Sequence, residues 1–74
     1  MNKTMLRNML TAAGLPQVST TAGAARVLNV SARLLNKAKN AGQLRYLERN
    51  AISFDSIVDW LYANPHFQTK LTRR

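Results

Sequence analysis

The sequence contains no cysteine, which removes disulfides, thiolate metal sites and a cysteine nucleophile together. Carboxylates are nearly as scarce: Glu48, Asp55 and Asp59 are the three acids of a 74-residue chain, and His66 is its one histidine. Acid–base, nucleophilic and metal-assisted catalysis all need such groups placed together. No Gly-rich phosphate loop occurs either, so the composition argues against an enzyme and calls for no cofactor and no metal. His66, with no second His or Cys to share an ion, reads as a surface residue. No apolar run approaches the roughly 20 residues of a membrane span, and the N-terminus lacks a continuous hydrophobic signal core. The expectation is a soluble, cytoplasmic protein with no membrane partner.

What the chain has is positive charge. Eleven Lys and Arg give a formal net charge of +8 and a pI near 11.3. The cations run from Lys3 to Arg74, so a folded surface carries most of them, and their excess favours a polyanionic partner: nucleic acid first, an anionic membrane surface second. Seventy-four residues suffice for one domain (1–74) with a small core.

The stretch 29–44, NVSARLLNKAKNAGQL, is the most informative. Ser31 is placed to cap a helix starting at Ala32, because its hydroxyl can accept from an orphan amide of the first turn. Gly42 is placed to end that helix near Ala41, since a residue without a Cβ adopts the left-handed conformation cheaply. Helical spacing puts Leu34, Leu35, Ala38 and Ala41 on one stripe and Arg33, Asn36, Lys37 and Asn40 on another. The second stripe holds guanidinium, ammonium and carboxamide groups, which neutralise phosphates and read base edges in a major groove. The plainer reading is a solvated helix face.

Around this helix the periodicities predict four further elements. Residues 1–15 space Met5, Leu6, Met9, Leu10 and Ala13 as an extra N-terminal helix ended by Gly14, either a core element or a partner surface. Residues 16–19 read as a connection. Ser19, Thr20 or Thr21 caps a second helix through Leu28, with Ala24, Ala25, Val27 and Leu28 inward and Arg26 outward. Asn29 and Val30 turn into the Ser31 helix, which makes a helix-turn-helix. Residues 44–48 and 51–54 then predict a hairpin with Leu44, Tyr46, Ile52 and Phe54 inward, Arg45 outward, and Arg49 and Asn50 at the tip, where Asn50 tolerates a positive φ. The tip is either an ordinary solvated turn or a wing reaching a phosphate or minor groove. Asp55 or Ser53 caps a last helix, 56–63, whose Trp60 reads as core rather than as a base-stacking platform. Residues 66–74 read as a basic, flexible tail. The expected fold is mainly α with a small β-hairpin, a winged helix-turn-helix core over 19–63.

This order of elements resembles the small winged helix-turn-helix domain of excisionases (recombination directionality factors), AlpA-type regulators and the MerR superfamily. The residues that carry the resemblance are Thr20, the pair Ala24 and Ala25, Leu28-Asn29-Val30-Ser31, Leu35, Gly42, the hairpin, and the closing helix with Trp60. Departures are Ala22 and Gly23 where an acid is usual, a short wing turn without Gly, and the added N-terminal helix. The resemblance implies double-stranded DNA as partner. Ala32, Arg33, Asn36, Lys37 and Asn40 would lie in the major groove, with Arg33 on a guanine and Asn36 on an adenine or phosphate. Arg26, Ser31, Lys39 and Arg45 would meet the backbone, and Arg49 and Asn50 would form the wing. It further implies a nucleoid-associated accessory protein of a mobile element that binds repeated sites cooperatively with copies of itself, bends DNA and directs a site-specific integrase toward excision. The alternative within the same fold is a dimeric phage or plasmid transcription regulator or centromere-binding protein. Outside it stand a single-strand or RNA binder using Tyr46, Trp60 or Tyr62, and a protein-interaction module docking through the Met5, Leu6, Met9, Leu10 stripe.

Overall fold

A computed structural model describes residues 2–68. Along them lie helix α1 (Lys3–Ala12), strand β1 (Val18–Ser19), helices α2 (Thr21–Leu28) and α3 (Ala32–Asn40), strands β2 (Tyr46–Glu48) and β3 (Ala51–Ser53), helix α4 (Phe54–Ala63) and a 3-10 turn, Pro65–Phe67. The molecule is mainly helical, with a three-stranded antiparallel sheet in the order β1-β3-β2. Among the described residues no helix is long and apolar enough to cross a membrane.

Every α-helix starts on a side-chain cap. Asn2, Thr20, Ser31 and Ser53 accept from the amides of Met5, Gly23, Leu34 and Ser56 at 2.8, 3.0, 3.1 and 3.1 Å, each satisfying a donor that the helix itself cannot. Thr20 thus takes the cap from Ser19 and Thr21, and Ser53 takes it from Asp55, so α4 begins at Phe54 rather than at Ser56. The first three helices end on one device. Gly14 (φ 91°), Asn29 (φ 58°) and Gly42 (φ 78°) turn left-handed. The next amide then reaches back five residues, Leu15 to Leu10, Val30 to Ala25 and Gln43 to Ala38, at 2.9 to 3.0 Å. Asn29, a residue that tolerates this conformation, replaces glycine in the three-residue turn joining α2 to α3.

The sheet departs from expectation in two places. Residues 16–19 are more than a connection, because Val18 and Ser19 pair with Ser53 and Ile52, and the Phe54 amide donates to the Gln17 carbonyl at 2.8 Å. Asn50 has no positive φ. Instead the β2–β3 pairing is irregular: Tyr46 faces Ile52 while Glu48 faces Ala51, so Leu47 is an extra residue, a β-bulge.

One core holds the elements together, centred on Leu6, Leu10, Leu28, Leu35, Ile52, Ile57, Val58 and Leu61, all at most 1 % exposed. Helix α1 packs on α4. Each of its two buried leucines is worth about 1.5–3 kcal/mol of transfer, whereas its half-exposed ion pairs, Lys3–Asp59 (3.0 Å) and Arg7–Asp55 (2.6 Å), are each worth about 0–1 kcal/mol. The leucines therefore dock α1, and it is a core element; Met5 and Ala13, expected on its buried stripe, are exposed. At the other end Phe67 stacks on Trp60 with ring centroids 4.9 Å apart, and buried Gln68 donates to the Leu61 carbonyl at 2.8 Å. Packed order thus runs through 68, three residues into the expected flexible tail; 69–74 lie outside the described residues.

Candidate nucleic-acid interface

Helix α3 turns Leu35 and Ala38 fully inward and Leu34 partly, while Ala32, Arg33, Asn36, Lys37, Lys39 and Asn40 are exposed. Ala41, expected on the buried stripe, is exposed too, because the chain is already leaving the helix axis at its C-cap. Five polar or cationic side chains therefore cover one surface of a helix whose opposite surface is locked into the core. Rigid anchoring is what a base-reading helix needs, since a bidentate contact tolerates little misplacement.

A second set of contacts holds the hairpin against α2 and α3. The Asn50 carboxamide oxygen at the hairpin tip accepts from the Thr21 amide at 3.2 Å and from the Thr21 hydroxyl at 3.0 Å. That hydroxyl has one proton, so the Tyr46 phenol, 2.7 Å from the same oxygen, must be the donor to it. The Lys39 ammonium lies 4.6 Å from the Tyr46 ring centroid, a cation–π contact of about 0.5–1 kcal/mol at an exposed site. The start of α2, the strand β2, the hairpin tip and the last turn of α3 are thereby joined side chain to side chain. Asn50, expected as a wing contact, has its oxygen occupied by this latch; its Nδ2 amide makes no hydrogen bond among the described residues. Thr21 and Tyr46 were missed as positioning residues because the latch spans 25 to 29 positions of sequence, and no local pattern encodes it.

The other predicted residues divide by element. Arg26 on α2, Arg45 before β2 and Arg49 at the tip are exposed. The Arg45 amide donates to the Ser56 hydroxyl at 2.8 Å, which ties the root of the hairpin to α4. The Ser31 hydroxyl accepts from the Leu34 amide and keeps its proton to donate. Trp60, 2 % exposed, donates to the Gln43 side chain at 3.2 Å and offers no face for a base. Tyr62 is exposed, yet it sits on α4 with Lys3 5.3 Å from its ring centroid. Lys37 also borders a cleft of about 240 Å³ with Leu34, Trp60, Asn64 and Phe67, below the roughly 300–1,000 Å³ usual for small-molecule sites.

Charge is divided unequally. Asp55 and Asp59 pair with Arg7 and Lys3 between α4 and α1, so that helix pair is locally neutral. Arg26, Arg33, Lys37, Lys39, Arg45 and Arg49 lie on α2, α3 and the hairpin with Glu48 as the single acid. No family model, curated protein or solved structure matches this chain.

Proposed function

We propose that the chain is a sequence-specific, double-stranded DNA-binding protein of winged helix-turn-helix type, with α3 as the major-groove helix and the β2–β3 hairpin as the wing. The observation that carries this reading is the acid-free polar face of α3, anchored by Leu35 and Ala38 and flanked by a hairpin latched to the same helix pair. Arg33 suits a bidentate contact to guanine and Asn36 a contact to adenine. Lys37, Arg26, Lys39 and Arg45 suit phosphates as positioning charges. If all six cations of α2, α3 and the hairpin met phosphates, affinity would fall with salt at a log–log slope of about −5.

Within that class we assign the chain an excisionase-like role in a mobile element, filling adjacent sites cooperatively and bending the duplex for an integrase. The deciding experiment selects bound duplexes from a random library at near-physiological salt and footprints the best. Direct repeats about one helical turn apart, filled cooperatively, support the excisionase role. One palindrome assigns a dimeric regulator instead, and no enrichment refutes sequence-specific binding.

A further inference from the structure

Leu47 is the most exposed large apolar residue in the described chain, at 62 %. A single surface leucine is ordinary; its surroundings here are not. Leu47 is the bulged residue of β2, standing with Glu48 opposite Ala51, and bulges re-aim the side chain they carry. Tyr46, the preceding residue, is tied inward by Thr21 and Lys39, so the strand under Leu47 is fixed. Two residues to either side stand the exposed guanidinium groups of Arg45 and Arg49.

We propose that Leu47 is an apolar wedge that enters the minor groove of duplex DNA beside the hairpin tip and partly unstacks one base step. The inference rests on the DNA-binding reading above. A protein partner would want a contiguous apolar patch of several hundred Å². The other exposed large apolar residues, Met5, Val18 and Tyr62, belong to α1, β1 and α4 and not to the hairpin tip. A lone apolar tip between two guanidiniums matches a polyanion whose interior is apolar: the arginines meet the phosphates or the narrow groove, and the isobutyl group meets the exposed base faces.

The test uses the full chain and a duplex of about 30 bp from the selected pool. 2-Aminopurine is placed in turn along the footprint, and end-to-end energy transfer reads the bend. The parent should raise 2-aminopurine emission at one step and bend the duplex by about 20–90°. Leu47→Ala, whose thermal melt should match the parent because the side chain is exposed, should lose that emission and straighten the duplex by at least about 20°. Leu47→Met should retain both signals. Emission and bend unchanged in Leu47→Ala would overturn the wedge while leaving DNA binding intact. An unchanged bend with lost cooperativity would also overturn it, assigning Leu47 to a contact between copies. A parent that binds no duplex would refute the DNA-binding reading and the wedge with it.

Discussion

Replacing Asn50 by Ala and by Asp separates the latch from any contact that Asn50 makes with DNA. In Asn50→Ala the Thr21 amide and hydroxyl lose their acceptor, and Thr21 is 9 % exposed. Loss of a helix cap costs about 0.5–2 kcal/mol, and a buried donor left unsatisfied about 1–3 kcal/mol. The two figures describe the same groups and do not add; water can also enter at the exposed tip, so the net cost is about 1–2 kcal/mol. At about 4–8 °C per kcal/mol for a domain of this size, thermal unfolding followed by circular dichroism should shift down by about 5–15 °C. Asn50→Asp keeps an oxygen that can accept both Thr21 bonds and places an anion at the start of α2, where the helix dipole favours it by about 0.3–1 kcal/mol. It should melt at or above the parent. The same change removes the Nδ2 donors and puts a negative charge on the hairpin, so duplex binding should weaken although the fold is intact. A cycle with Thr21→Val should show coupling to Asn50→Ala of at least about 0.5 kcal/mol. The latch is refuted if Asn50→Ala melts with the parent while Asn50→Asp does not.

Other perturbations probe separate parts of the molecule. Arg33→Ala should weaken specific binding by about 1–3 kcal/mol and relax one base position; an equal loss on random duplex would make Arg33 a phosphate contact only. Lys37→Ala should weaken all sequences alike and shallow the salt slope by about one unit, as read by titration at several salt concentrations. Glu48→Gln should tighten binding to every duplex by about a few tenths of a kcal/mol at low salt, and weaker binding would mean that Glu48 itself accepts from a base. The Ser19 hydroxyl is buried and makes no hydrogen bond among the described residues, so Ser19→Ala should hold or raise the melting temperature, by up to about 1 kcal/mol of stability. A destabilised Ser19→Ala would reveal a partner for that oxygen.

Features set by neighbours in sequence were legible; those set by distant pairing were not. Ser31, Gly42, Leu35 and Ala38 act through residues three or four positions away, so the bounds and faces of α3 follow from spacing alone. The left-handed place at Asn29 rather than Asn50 was missed because two Asn residues tolerate it equally, and the turn geometry chooses. Strand β1 is two residues long and has meaning only against Ser53 and Ile52. The bulge at Leu47 is a mismatch between two strands, which neither strand encodes by itself. Phe67 and Gln68 gave no periodic signal because each fits a gap left by Trp60 and Leu61 rather than extending a pattern.

The pairing of Lys3 and Arg7 with the two aspartates of α4 has a kinetic consequence. By cancelling charge on α1 and α4, these ion pairs leave the net positive charge of residues 2–68 on α2, α3 and the hairpin, so the described part of the molecule is asymmetric in charge. Near a polyanion such a body feels a torque before it feels a contact. Under the proposed DNA-binding role this asymmetry would turn α3 and the hairpin toward the duplex during diffusion and raise the share of productive collisions at low ionic strength. In that role the two aspartates would bias which way round the protein arrives.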